Sequence, residues 1–265
     1  MMIRVERTPP FECLFCRTRH RAGFTRVEHA IPESLGNDDF VIPAGFVCDV
    51  CNQYFGSKIE QRILEAPPFN IERTAYAVPT KKGKLARYID DDFVLASSGS
   101  ANTLLVISKG DHERAWRAIS RRWIVPKEPP GYDDLLARFC LKVGLELLLG
   151  GEESDPYSGP YDAARRCARY GDRASEWDVG WGIYPRRTDL LVSTRVDEIG
   201  PLHTHQIYQY EMGIMPSGDV VLCFVFSQSI FACNLNRPPI MEYLLGFNTR
   251  NEFSLKSRWT RTVRK

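Results

Sequence analysis

Two Cys-x-x-Cys pairs, Cys13/Cys16 and Cys48/Cys51, constrain this chain more than any other feature it has. Each pair can form a knuckle whose thiolates converge, and two knuckles complete the tetrahedral sulfur shell that zinc prefers. The intervening stretch, residues 17–47, exceeds the roughly 15 to 20 residues of a plain zinc ribbon, so a further element is expected between the knuckles. His20 could replace one thiolate, but four cysteines already close the site. A closed tetrathiolate ion has no position left for water, so its expected contribution is folding energy rather than catalysis. The N-terminus, Met1 to Arg7, lacks the apolar stretch of a secretory signal, and a cytoplasmic, reducing location is expected. There, eight cysteines read as metal ligands plus buried thiols, with Cys140, Cys167, Cys223 and Cys233 lying in apolar patterns that suit small core residues.

Chemistry must then come from what lies inside and just after the cysteine frame. Inside is Glu28-His29-Ala30-Ile31-Pro32-Glu33-Ser34-Leu35-Gly36; immediately after Cys51 comes Asn52. Residues 11–65, with this order of Cys-x-x-Cys, Glu-His-x-Ile-Pro-x-x-Leu-Gly and Cys-x-x-Cys-Asn, resemble the HNH endonuclease superfamily, in the branch whose ββα-metal motif is held by a four-cysteine zinc. The resemblance implies two strands and a helix gathered around one divalent cation, Mg²⁺ or Mn²⁺. Carried over position by position, Glu28 resembles the acidic metal ligand, His29 the general base and Asn52 the helix-borne ligand; Glu60, further along the helix, is a candidate third ligand. The chain departs from the family pattern twice. Pro43 stands where many relatives have an asparagine that orients the histidine, so backbone carbonyls are expected to do that work. Gly56 stands where many have a lysine, although Lys58 is close by as a candidate nucleic-acid contact.

These residue types suit phosphodiester hydrolysis. A neutral imidazole, with an ordinary pKa of about 6.5, can take a proton from water at neutral pH. Mg²⁺ is commonly held by only one or two protein oxygens, which Glu28 and Asn52 can supply. Adjacent strand residues face opposite ways, so Glu28 and His29 can serve one site only if the strand ends or bends there; Pro32 makes a bend plausible. Asp38-Asp39 reads as a solvated loop.

Apolar residues Tyr54, Phe55, Ile59 and Ile63 have helical spacing, and the helix over residues 51–64 should stop at Ala66-Pro67-Pro68. That break divides the chain into an HNH module, residues 1–66, and a second region, residues 67–265. The second region reads as α+β with an antiparallel sheet: strands over 93–97 and 103–107, helices over 111–123, 132–149 and 161–170, then strands over 190–196, 205–212, 220–227 and 230–235. Pro216-Ser217-Gly218-Asp219 is a hairpin turn between two of them. No apolar run approaches the roughly 18 residues a membrane helix requires.

A net charge of +2 neither demands nor excludes a polyanion, so local clusters must decide. Arg121-Arg122, Arg165-Arg166 and Arg186-Arg187 are basic doublets, and the C-terminal tail places Arg258, Arg261 and Arg264 around Trp259, a pattern that can follow a nucleic-acid backbone. His203 and His205 have metal-ligand spacing but no third ligand, and read as structural. The expected function is a metal-dependent endonuclease acting on DNA, of the kind used in restriction or phage defence; the competing reading is a catalytically inactive zinc module that binds nucleic acid to regulate or recruit. The second region is a candidate for target recognition, for sensing a small-molecule or protein activator, or for homodimer formation.

Overall fold

A computed structural model describes residues 5, 7–37, 40–80, 82–99, 104–122, 131–151, 154–183, 208–227 and 229–238. Between the cysteine pairs lies a short antiparallel ladder, β1 (Glu28–His29) and β2 (Val41–Ile42), with Glu28 opposite Ile42 and His29 opposite Val41. Two-residue strands form few ladder hydrogen bonds, so the loop joining them needs another support. Buried Asn37 provides it: its amide nitrogen donates to the carbonyls of Ile31 (2.7 Å) and Phe40 (3.1 Å), and its oxygen accepts from the Phe40 N–H at 2.9 Å.

After Cys48, helix α1 (Asp49–Tyr54) continues through a π-helical stretch, Phe55–Glu60, into α2 (Gln61–Leu64), which realises the helix expected over 51–64. Phe55, Ile59 and Ile63 are buried at the expected four-residue spacing. The double proline stops this helix, and Pro68 at once caps a new one, α3 (Phe69–Ala75), because a missing N–H costs least at a helix start.

Three antiparallel strands follow in the order β3 (Arg87–Ile89), β4 (Phe93–Ser97) and β5 (Leu104–Ser108), then α4 (His112–Arg122), α5 (Tyr132–Leu147) and α6 (Asp162–Tyr170). A second antiparallel sheet is ordered β6 (Val179–Ile183), β9 (Ser229–Asn234), β8 (Val220–Phe226), β7 (Tyr208–Ile214). The β7–β8 hairpin turns where the sequence indicates, with Gly218 at φ 80°, a value that favours glycine, and its N–H bonded to the Met215 carbonyl at 2.8 Å. The class is therefore α+β with antiparallel sheets, as expected. The strand expected over 190–196, the His203/His205 pair and the Arg186-Arg187 doublet lie outside the described residues.

Helix α5 is the centre of the molecule. Every residue from Phe139 to Leu147 is buried, which is where a helix apolar on all sides belongs. It packs against α6, the π-helical stretch and α2, and against β8 and β9. Gly144 allows the close approach: a Cβ there would lie 2.4 Å from Leu235 Cδ2. Phe69 joins this layer, stacked on Phe231 (ring centroids 5.1 Å apart) and Phe226 (5.6 Å) and edge-on to Phe139 (5.7 Å). A single apolar core runs from Leu14 and Phe55 through Phe139 to Phe231, so it unites the cysteine-rich segment with the rest of the chain.

Two outcomes follow from this packing. Phe69→Ala should lower the free energy of unfolding by about 3–5 kcal/mol in chemical denaturation, since three rings lose their common partner. Glu72 of α3 accepts a 2.6 Å hydrogen bond from Ser229 Oγ, and burial pushes its carboxyl up to about 8. The folded chain therefore holds a proton that the unfolded chain has released above the ordinary glutamate value of about 4.3, and this contribution to stability declines as pH rises toward about 8. Glu72→Gln should remove that decline and be the more stable form at pH 9, on the order of 1–3 kcal/mol relative to wild type, as read from denaturation midpoints at pH 5 and pH 9.

Candidate functional site

The cysteine frame is assembled by backbone geometry before any ion is considered. The first knuckle is a tight turn in which the Cys13 N–H donates to Thr18 O (2.8 Å) and the Arg17 N–H to Cys13 O (3.0 Å), with Arg17 at φ 62°. In the second knuckle Cys48 precedes α1 and Cys51 lies in its first turn. The Leu14 N–H donates to Phe46 O at 2.8 Å and the Cys48 N–H to Cys13 Sγ at 3.4 Å, which bring the knuckles together. The four Sγ atoms lie within 4.8 Å of one another, and Cys16 Sγ and Cys48 Sγ are 3.6 Å apart. A tetrahedral zinc with Zn–S bonds of about 2.3 Å requires sulfurs about 3.8 Å apart, so the frame suits that ion. Hydrogen bonds among the crowded sulfurs hold the Cys16 thiol well below its ordinary range and push Cys13 and Cys51 above it.

Two later residues complete the surroundings of the frame. Arg169 of α6 donates from Nε to Cys51 Sγ at 3.2 Å and lays its guanidinium over the Tyr54 ring at 3.9 Å. Tyr157 donates its hydroxyl to the Glu12 carbonyl at 2.9 Å, directly beside Cys13. A thiolate cluster carries excess negative charge, and a cation at bonding distance is the physical answer to it.

The other expected residues divide over β1 and α1. Strand β1 ends at His29, with Glu28 buried and His29 half-buried, so it stops at the point where the two residues need it to end in order to serve one site. Asn52, on α1, donates from Nδ2 to the Val27 carbonyl at 2.9 Å and so ties the helix to the residue preceding Glu28. The structure thus brings Asn52 and the Glu28-His29 strand together.

Glu28 and Glu60 meet at a residue the sequence reading did not single out, Lys142 of α5. Its Nζ lies 2.8 Å from Glu28 Oε1, 2.8 Å from Glu60 Oε1 and 3.0 Å from Glu146 Oε2, and it donates to the His29 carbonyl at 2.8 Å. The Lys142 side chain has no exposed surface, and Glu28 and Glu60 retain 8% and 10% of theirs. Glu60 reaches this point through the π-helical stretch, whose extra residue per turn changes which side chains face the core. It is not the solvated helix carboxylate that is the usual finding for such a position. Burial alone would favour the neutral amine, but the three carboxylates outweigh it and hold Lys142 protonated, well above the ordinary lysine value. Burial drives Glu146 the other way, pushing its carboxyl well above the ordinary range despite Lys142 beside it.

Lys58 lies exposed on the π-helical stretch, while Arg258, Arg261, Arg264 and Asp38-Asp39 lie outside the described residues. Arg165 is not a surface phosphate contact: it is buried, bonded to the Pro156 and Ser158 carbonyls and to Asp162. Its neighbour Arg166 is exposed and paired with Asp172. Cys140, Cys167 and Cys233 are buried, as expected, and Cys223 is half-buried. The missed Lys142 did leave a sequence signal. Lys142 and Glu146, four apart, are the only charges between Phe139 and Leu149, and opposite charges one turn apart in so apolar a helix indicate a buried pair rather than a solvated face.

Residues 13–67 match the family model of the HNH endonucleases. This segment is an HNH module. It contains both cysteine pairs, β1, β2, the helix carrying Asn52 and Glu60, and it ends at the double proline. No curated protein and no solved structure matches the chain. Among the described residues, no helix is long and apolar enough to cross a membrane.

Metal analysis of the purified protein should find one zinc ion per chain at the four cysteines. Stripping it with a strong chelator should lower the melting temperature sharply, since zinc affinity in such frames is folding free energy. Cys51→Ser should lose both the zinc and the stability it supplies.

Proposed function

We propose that the chain is a divalent-metal-dependent endonuclease that hydrolyses phosphodiester bonds in nucleic acid, with DNA as its substrate and His29 as general base. The observation that carries this reading is the tie between Asn52 and Val27 within the HNH module, which places a helix-borne amide beside the Glu28-His29 strand. Glu28 and Asn52 would hold the cation: a carboxylate and an amide oxygen are the hard donors that Mg²⁺ and Mn²⁺ prefer. When bound, the cation would neutralise charge on the phosphate and on the departing oxygen.

The residues of the chain do the rest. The half-buried His29 accepts a proton from water; the water oxygen bonds to phosphorus, and the bond from phosphorus to the leaving oxygen breaks with its electron pair departing on that oxygen. Lys58, exposed on the helix that carries Asn52, is available to phosphates along the strand, and Arg258, Arg261 and Arg264 are further candidate phosphate contacts by residue type. A double-strand cut needs one centre per strand, which a homodimer would supply. Within this proposal the region after the double proline buttresses the module, and restriction or phage defence is the biological setting the activity fits.

A second reading, the inactive nucleic-acid-binding zinc module, is favoured by one observation. Lys142 already supplies a cation to Glu28 and leaves it little exposed surface. Supercoiled plasmid distinguishes the two. Nicking or linearisation that requires Mg²⁺ or Mn²⁺ and falls by about 10²–10⁴-fold in His29→Ala is expected of the nuclease. Salt-sensitive binding without any cut would establish the second reading instead.

A further inference from the structure

We propose that Lys142 is a positioning residue of the HNH site, supplied by α5 from outside the matched segment, and that it does the work for which this chain lacks an orienting asparagine at Pro43. The proposal rests on the nuclease reading above. Its geometric basis is that one ammonium holds two consecutive residues by different handles. It holds Glu28 by the side chain at 2.8 Å and His29 by the backbone carbonyl at 2.8 Å, with the Ala30 carbonyl at 3.4 Å behind them. Gripping the carboxylate of one residue and the peptide of the next restricts the backbone between them, and with it the directions in which the imidazole can leave the strand.

Strand β1 cannot fix that direction alone. It is two residues long and pairs with β2 at two positions only. Asn37 orders the loop from Ile31 onward, and Asn52 holds Val27, so the supports found on either side leave residues 28–30 between them. Lys142 acts at that interval, and it does so from a helix whose residues 139–147 are all buried.

Its own surroundings make the grip rigid. An ammonium has three protons to donate, and five oxygens surround Lys142 Nζ within 3.4 Å: those of Glu28, His29, Glu60, Glu146 and Ala30. Glu60 and Glu146 approach from the π-helical stretch and from the next turn of α5, so the nitrogen is fixed relative to both the HNH helix and the core. With no exposed surface, Lys142 cannot touch substrate, which separates positioning from catalysis. Removing the ammonium leaves the Glu28 and Glu60 carboxylates buried without it, which costs stability, so the fold is read separately from positioning.

The test compares the full-length wild type with the double variant K142M/E146L, which replaces the buried pair with apolar side chains, and with Lys142→Arg. Zinc content and melting temperature report the fold. Two further readouts are ones a merely structural residue would not move: the Mn²⁺ concentration giving half-maximal plasmid cleavage, and the imidazole resonances of His29 in the metal-free protein, identified by their absence in His29→Ala. K142M/E146L is expected to keep its zinc, to cut about 100-fold more slowly, to require several-fold more Mn²⁺, and to show displaced or broadened His29 signals with the other histidines unmoved. Lys142→Arg should fall between, because a guanidinium keeps a charge on Glu28 but cannot hold the same carbonyl from the same position. Should the double variant fail to fold, Lys142→Arg alone decides by the same two readouts. Unchanged His29 resonances together with unchanged Mn²⁺ demand would overturn the proposal. If wild type does not cut, the nuclease reading fails, and the His29 resonances still decide whether Lys142 positions the histidine.

Discussion

A buried ammonium must be neutralised where it sits, and much of this structure can be read as the consequence of placing one in the middle of α5. Lys142 has no exposed surface, so Glu28, Glu60 and Glu146 must be brought to it, each from a different part of the chain. That requirement draws the HNH strand, the HNH helix and the core helix to one point. Removing one partner of such a set would strand buried charge at a cost of several kcal/mol, so the arrangement resists partial assembly. The HNH segment therefore does not merely adjoin the rest of the molecule: its acidic residue and the backbone of its histidine are held by it.

The cysteine frame solves a different problem. Residues 13–67 contain two strands of two residues each and a helix interrupted by a π-helical stretch, too little regular structure to hold knuckles and strands in register unaided. Four cysteines supply the closure, Arg169 offsets the charge of their sulfurs, and Tyr157 ties the first knuckle to the body. The four cysteines, a frame that suits zinc, draw the two knuckles together, while Lys142 holds the Glu28-His29 strand.

How much of this was legible in the sequence depended on how local each signal was. The cysteine pairs, the Glu28-His29 strand and the helix after Cys48 have short-range patterns and stand where the sequence places them. The same holds for α5, α6, the β7–β8 hairpin and the antiparallel character of the sheets. Strand β6 escaped because Gly180 and Gly182 interrupt its apolar residues, and β3 because it is three residues long and largely exposed. What could not be read was which distant residues meet. Lys142 is 114 positions from Glu28 (142 − 28) and 82 from Glu60 (142 − 60), and nothing in a linear pattern joins them. Arg165 shows the converse: its composition reads as a phosphate-binding doublet, and only packing reveals that its guanidinium binds backbone carbonyls.

The most direct measurement is a crystal structure of the full chain grown with Mn²⁺, with anomalous scattering recorded at the manganese and zinc edges. Zinc signal is expected among Cys13, Cys16, Cys48 and Cys51. Manganese is expected at coordination distance from Glu28 and Asn52, with Lys142 still in contact with the Glu28 carboxylate behind it. Manganese found in place of the ammonium among Glu28, Glu60 and Glu146, or absent from the neighbourhood of His29 altogether, would contradict a metal-dependent HNH site held in position by Lys142.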